Sequence, residues 1–124
     1  MWQPGDCILT LSTVYGAVER TLAWLHDHHP SQPEVINVEI TLPCSHDETV
    51  AAVQKKLDEL RDQGKLSKVK MAIIDSISSK PGVRVPWERL CKVFRDNQIL
   101  VFVDAAHGVG AIEMDVGKAD PDFL

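Results

Sequence analysis

Little in this sequence leads toward nucleic acid or a membrane. Lysine and arginine number 13 against 18 aspartates and glutamates, for a formal net charge of −5. A chain that neutralises phosphates needs a basic face instead. No apolar run approaches the ~20 residues of a membrane span. The opening MWQPGDCILTL lacks the basic stretch and apolar core of a secretory signal. Only three cysteines occur, Cys7, Cys44 and Cys91. They are odd in number, far apart and never in a CxxC pair, which suits a reducing compartment, and a cytoplasmic location is expected. Cys7 and Cys91 sit in apolar patterns and read as small buried hydrophobes.

Several motifs are also missing. There is no GxSxG, HExxH or P-loop. HDHHP (26–30) invites a metal reading, but only His26 and His29 share a helical face. Imidazoles near a helix C-terminus are the simpler reading, and no metal site is expected. HGVGAIEM carries Glu113 where a dinucleotide fingerprint would need its third glycine.

What is present is an ordinary globular balance, 44% apolar and 25% charged over 124 residues, enough for one modest domain. CILTLS (7–12) reads as a strand. In the segment that follows, Val14, Val18, Leu22 and Leu25 fall on one helical face, with Ser12 or Thr13 as cap and Pro30 and Pro33 as stop. EVINVEIT (34–41) is a β-branched strand. Ser45 and Glu48 form a capping box ahead of the stripe Val50, Val53, Leu57 and Leu60, and Gly64 ends that helix. KVKMAIID (68–75) is the next strand. Pro81-Gly82 marks a turn, and Pro86 stands at the first position of a helix to about Asn97, with Leu90, Val93 and Phe94 inward. ILVFV (99–103) closes the series. The order β-α-β-α-β-α-β predicts an α/β fold with a parallel sheet covered on both faces. A continuous apolar run such as ILVFV fits burial on both sides.

In such sheets ligands bind beyond the carboxyl ends of the strands. Three loops leave those ends here, STVYG (12–16), DSISSKPG (75–82) and DAAHGVG (104–110). They are expected to bring Tyr15, Ser76, Ser78, Ser79, Asp104 and His107 together. A carboxylate ending a buried run is costly unless a cation pairs with it, and no Lys or Arg stands near Asp104 in sequence. Two readings stay open: a cation brought by a ligand, or a turn capped through backbone N–H groups.

VFVDAAHGVGAIEMDVGKADPDF resembles the core of the fold-type I pyridoxal-phosphate (PLP) enzymes of the aminotransferase class V family. LSTVYGAVERTL and IDSISSKPGVRVPWERL resemble its isopenicillin N epimerase-like branch. That branch includes cysteine desulfurase-like C–S lyases, and the chain also resembles the fungal hercynylcysteine sulfoxide lyase group. Three separate loops match in the right order, over nearly the whole chain and most weakly across 26–66. The resemblance implies part of the large domain, a three-layer sandwich with a mainly parallel sheet. It implies that Asp104 pairs with the protonated pyridine nitrogen of pyridoxal phosphate, the electron sink of that cofactor. It further implies that His107 lies near the phenolic oxygen, that Tyr15 stacks on the ring, and that Ser79 takes the place of a polar residue, often Asn, near the same oxygen.

The resemblance implies a small amino-acid or amine substrate, C–S lyase, epimerase or transferase chemistry, and a homodimer in the full-length enzyme. The family's Schiff-base lysine follows the Asp by roughly two dozen residues, in a Ser/Asn-x-His-Lys context. Lys118 stands too early and in the wrong context, so no residue here is assigned as catalytic. The Gly/Ser/Thr-rich loop that cradles the phosphate at a helix N-terminus has no counterpart either. The expectation is a partial class V domain over 1–124, truncated at both ends, inactive by itself and at best a weak holder of the cofactor. The alternative is a non-catalytic product that binds a partner or a full-length relative.

Overall fold

The computed structural model describes residues 2–124. Its sheet has four strands, all parallel: β1 (Cys7–Leu11), β2 (Glu34–Val38), β3 (Val69–Asp75) and β4 (Leu100–Asp104), in the order β2-β1-β3-β4. Between them run α1 (Gly16–His28), α2 (His46–Asp62) and α3 (Trp87–Asp96), and the short α4 (Val116–Ala119) follows β4. This is the alternation expected. No helix among the described residues is long and apolar enough to cross a membrane.

Element ends follow local chemistry. The capping box at α2 is present: Ser45 Oγ accepts from Glu48 N–H, and the Glu48 carboxylate accepts from Ser45 N–H at 2.7 Å. The cap proposed for α1 is not formed. Its N-cap is Tyr15, with no side-chain bond, and Ser12, three residues earlier, uses its Oγ to accept from Ile40 N–H at 2.9 Å. That same bond ends β2 early, at Val38 rather than Thr41. Its partner β1 stops at Leu11, and the next free N–H goes to a side chain. Pro86 sits one position outside α3 rather than at its first residue, and its carbonyl accepts from Leu90 N–H.

The core lies on one side of the sheet. Leu9, Leu11, Val38, Ala72, Ile74, Val101 and Val103 project toward Val53 and Leu57 of α2 and Trp87, Leu90 and Phe94 of α3, and all are buried. Alternation sends the residues between them to the opposite face. There α1 packs beside β2, and its one buried side chain, Leu22, stands outside the main cluster, as does Ile8. No described helix covers the β3–β4 half of that face, so Leu100 is 45% and Phe102 36% exposed. Burial of ILVFV on both sides is therefore corrected: the run is dry on one face only. The outer edge of β4 is paired with the C-terminal stretch. Val103 N–H donates to Phe123 O and Phe123 N–H to Val101 O, each at 3.0 Å, which removes an open strand edge.

Candidate functional site

The carboxyl ends of β1, β3 and β4 face a cavity of about 180 Å³. Tyr15, Ser79, Asp104 and His107 all line it, along with Asp75, Ile77 and Ala106. The four residues singled out from the sequence thus share one hollow. Tyr15 is 48% exposed, His107 is exposed, and Ser79 and Asp104 are half-buried.

Ser76 and Ser78 do not join them. Ser76 is fully buried, and its hydroxyl donates to the Asp104 carbonyl at 3.2 Å while its N–H donates to the same oxygen at 2.9 Å. Ser78 Oγ donates to Pro81 O at 2.6 Å and accepts from Val83 N–H, closing the loop on itself. Buried hydroxyls turn to backbone partners when these are in reach. Both serines hold the site's backbone and stay out of the cavity.

Asp104 is the last residue of β4. Its Oδ1 accepts from Ala106 N–H at 3.0 Å. The turn-capping reading is therefore correct for one oxygen, and no Lys, Arg or His forms an ion pair with Asp104 among the described residues. The other carboxylate oxygen accepts no hydrogen bond among the described residues. The turn after Asp104 is tight: Gly108 N–H donates to Ala105 O at 2.8 Å. A methyl group at Gly108 would fall 2.5 Å from Ser76 Oγ and 2.9 Å from Met114 Sδ, so glycine lets this turn seat on β3 and sets where His107 stands.

The residue that the sequence reading passed over is Asp75. It ends β3 as Asp104 ends β4, and the two are in register across the ladder. Asp75 is 5% exposed. Burial first and the Asp104 charge second push its carboxyl up to about 6, against the pull of the Tyr15 backbone N–H and His107. The signal was available: KVKMAIID and ILVFVD are both apolar runs that end in a carboxylate.

The arrangement can do a limited set of things. Two adjacent carboxylates can hold a cation. A phenol at the rim can lie against a planar ring, and an imidazole and a hydroxyl can reach a polar substituent. The two largest hollows lack this convergence. One lies at the opposite end of the sheet, by Trp2, Asp6, Lys70 and Leu100. The other follows α3, where charges pair among themselves, as in Arg84–Glu88 and Lys92–Asp96. The histidines of 26–29 bond the main chain: His26 Nδ1 to Pro33 O, His28 Nδ1 to Trp24 O, and His29 Nδ1 to Ser31 N–H.

Residues 32–124 match the family described as aminotransferase class-V. The chain is 33% identical over 119 residues to the L-cysteine desulfhydrase-like protein lolT1 of Epichloe uncinata, covering 96% of this chain and 25% of that protein. It is 30% identical over 123 residues to the hercynylcysteine sulfoxide lyase of Schizosaccharomyces pombe, covering 99% and 29%. The chain thus spans about a quarter of the length of the curated relatives it matches. Among solved structures it is similar to the cysteine desulfurase CsdA of Escherichia coli (TM-score 0.70, 19% identity, 98% of this chain and 27% of that one). It is also similar to an alanine–glyoxylate aminotransferase of Nostoc sp. (TM-score 0.66, 16% identity, 97% and 28%).

Proposed function

Because the chain belongs to the aminotransferase class-V family and has the fold of the fold-type I enzymes of that kind, we propose that it forms part of a pyridoxal-phosphate-dependent enzyme of C–S lyase type, with the strand-end cavity as the seat of the cofactor ring. The observation that carries this is the convergence of Asp104, Tyr15, Ser79 and His107 on one hollow. The names of the relatives, desulfhydrase and sulfoxide lyase, support C–S chemistry on an amino acid or amine.

The donor set fits the ring end of that cofactor. A carboxylate with one oxygen steadied by Ala106 N–H and the other open suits a protonated pyridine nitrogen. At about 180 Å³ the hollow is smaller than the ~300–1,000 Å³ of a pocket that buries a whole ligand. No lysine or arginine lines it, so the phosphate would rest on groups outside it. When bound, the ring supplies an electron sink for charge developing at the substrate α-carbon.

The chain's own residues prepare for that. Asp104 keeps the proton on the ring nitrogen, because a carboxylate beside a base favours its charged form. Ser76 fixes the Asp104 backbone from beneath, and the Gly108 turn sets His107. His107 and Ser79 would offer hydrogen bonds to the ring's phenolic oxygen, and Tyr15 would lie against the ring face. With no lysine in the cavity, the 124 residues alone do not turn over substrate in this reading. A second reading, a non-catalytic chain that pairs with a partner or a longer relative, is favoured by the exposed Leu100, Phe102 and Phe123 on one sheet face.

The test is an absorbance titration of the chain with pyridoxal phosphate, beside Asp104→Ala. The expected result is a protein-dependent band that dialysis removes, borohydride does not trap and Asp104→Ala weakens. A band insensitive to Asp104→Ala contradicts the assignment, and a borohydride-trapped band shows that a lysine of this chain reacts.

A further inference from the structure

Asp75 is the one ionisable group in the cavity that the reading above leaves without a role. Strands in a sheet lie ~4.8 Å apart, and Asp75 and Asp104 are register partners at the ends of β3 and β4. The two carboxylates therefore rise side by side from one face into one hollow. Among the described residues neither forms an ion pair. The groups that face Asp75 are Asp104 at the end of β4, His107 from the turn beyond it, and the Tyr15 backbone N–H from the β1–α1 loop. Lys80 lies further along the β3–α3 connection and lines an adjoining hollow with Tyr15 and Ser79. A buried carboxylate next to a second one is unfavourable unless a cation arrives. Burial and the charge of Asp104 hold the Asp75 proton on up to about pH 6.

Resting on the cofactor-site reading, we propose that Asp75 is a positioning residue that acts through Asp104: its ionised carboxylate deepens the negative potential at the ring-nitrogen subsite and sets how tightly that subsite holds a protonated ring. The ring cation and the proton of Asp75 compete for the same field. When the cation seats on Asp104, Asp75 gives its proton to solvent. When Asp75 is protonated, the subsite offers one negative charge rather than two. Asp75→Asn copies the protonated state at every pH and keeps the side-chain shape.

The test measures the Kd of pyridoxal phosphate for the full chain, for Asp75→Asn and for Asp104→Asn, by equilibrium dialysis across pH. The ratio of the Asp75→Asn Kd to the wild-type Kd is expected to be about one near pH 4 and to rise to about ten above pH 7, the value of one unit of pKa coupling. The cofactor's own titration affects both proteins alike and cancels in the ratio. A flat ratio, with Asp104→Asn still strongly impaired, overturns the proposal and leaves the cofactor site standing. Absence of binding by the wild type at every pH, or binding unaffected by Asp104→Asn, overturns the cofactor reading and this proposal with it.

A second measurement needs no variant. Carboxyl 13C NMR of the wild type is expected to show Asp75 titrating near pH 6 without cofactor, and about one unit lower once pyridoxal phosphate is bound. A midpoint that bound cofactor does not move contradicts the proposal.

Discussion

The two faces of this sheet are finished in opposite ways, though the same strands make both. On the side of α2 and α3, every strand residue from Leu9 to Val103 meets apolar side chains, and Trp87, Leu90 and Phe94 are wholly buried. On the other side, Ile8 and Thr10 of β1 are buried, Met71 and Ile73 of β3 are half-buried, and Leu100 and Phe102 of β4 are exposed. The run on that second face ends in Asp75 and Asp104. One face carries the stability. The other ends in groups that, without a ligand, work against it. Two neighbouring carboxylates at the end of a buried run cost stability unless a cation joins them, and proteins commonly carry such costs where they function.

The largest expected effect would break this contrast most plainly. Phe94→Ala empties a fully buried position on the α3 side and is expected to cost about 3–5 kcal/mol. Phe102→Ala, two strand positions from Asp104 on the open face, is expected to cost well under ~1 kcal/mol. Urea unfolding of both variants compares the faces directly, and equal losses would show that the open face is as dry as the core.

Asp75→Asn comes next, with the opposite sign. The folded-state pKa of Asp75, about 6, lies above its ordinary value of 3.8. The folded chain therefore binds that proton more tightly, and stability falls as pH rises from about 4 to about 6. Above that window the substitution is expected to stabilise the cofactor-free chain by up to about 3 kcal/mol, the upper bound set by the shift. Below about pH 4 it is expected to make little difference. Urea midpoints across pH check this, and a destabilising Asp75→Asn at neutral pH would remove the contrast between the faces at its most informative position.

Gly108→Ala sharpens the comparison at smaller scale. The added methyl meets Ser76 Oγ and Met114 Sδ inside contact distance, so overpacking of about 1–3 kcal/mol is expected. Because Ser76 holds the Asp104 carbonyl, the loss of pyridoxal-phosphate binding is expected to exceed what the drop in stability alone would cause.

Much of the fold could be read in the chain because its signals are local. The Ser45–Glu48 capping box and the Val53–Leu57–Leu60 stripe need only helix geometry to be recognised, and both are in place. What escaped depends on partners distant in sequence. Ser12 looked like the cap of α1 but is used by Ile40, 28 residues on. The apolarity of ILVFV reads as burial, yet exposure is decided by whether a helix lies above, and none does over Phe102. Ser76 and Ser78 looked like site hydroxyls, but burial turned both toward carbonyls. Asp75 was hidden at the head of a serine-rich loop. Its apolar run ending in a carboxylate was legible, but the pairing with Asp104 appears in the register between β3 and β4.

The measurement that bears most directly on the cofactor site is a backbone amide NMR map of the chain as pyridoxal phosphate is added. The account predicts perturbations centred on Tyr15, Ser79, Ala106 and His107, and their loss in Asp104→Ala. Perturbations centred on the hollow by Trp2 and Leu66, or scattered over exposed lysines and unchanged by Asp104→Ala, would contradict it.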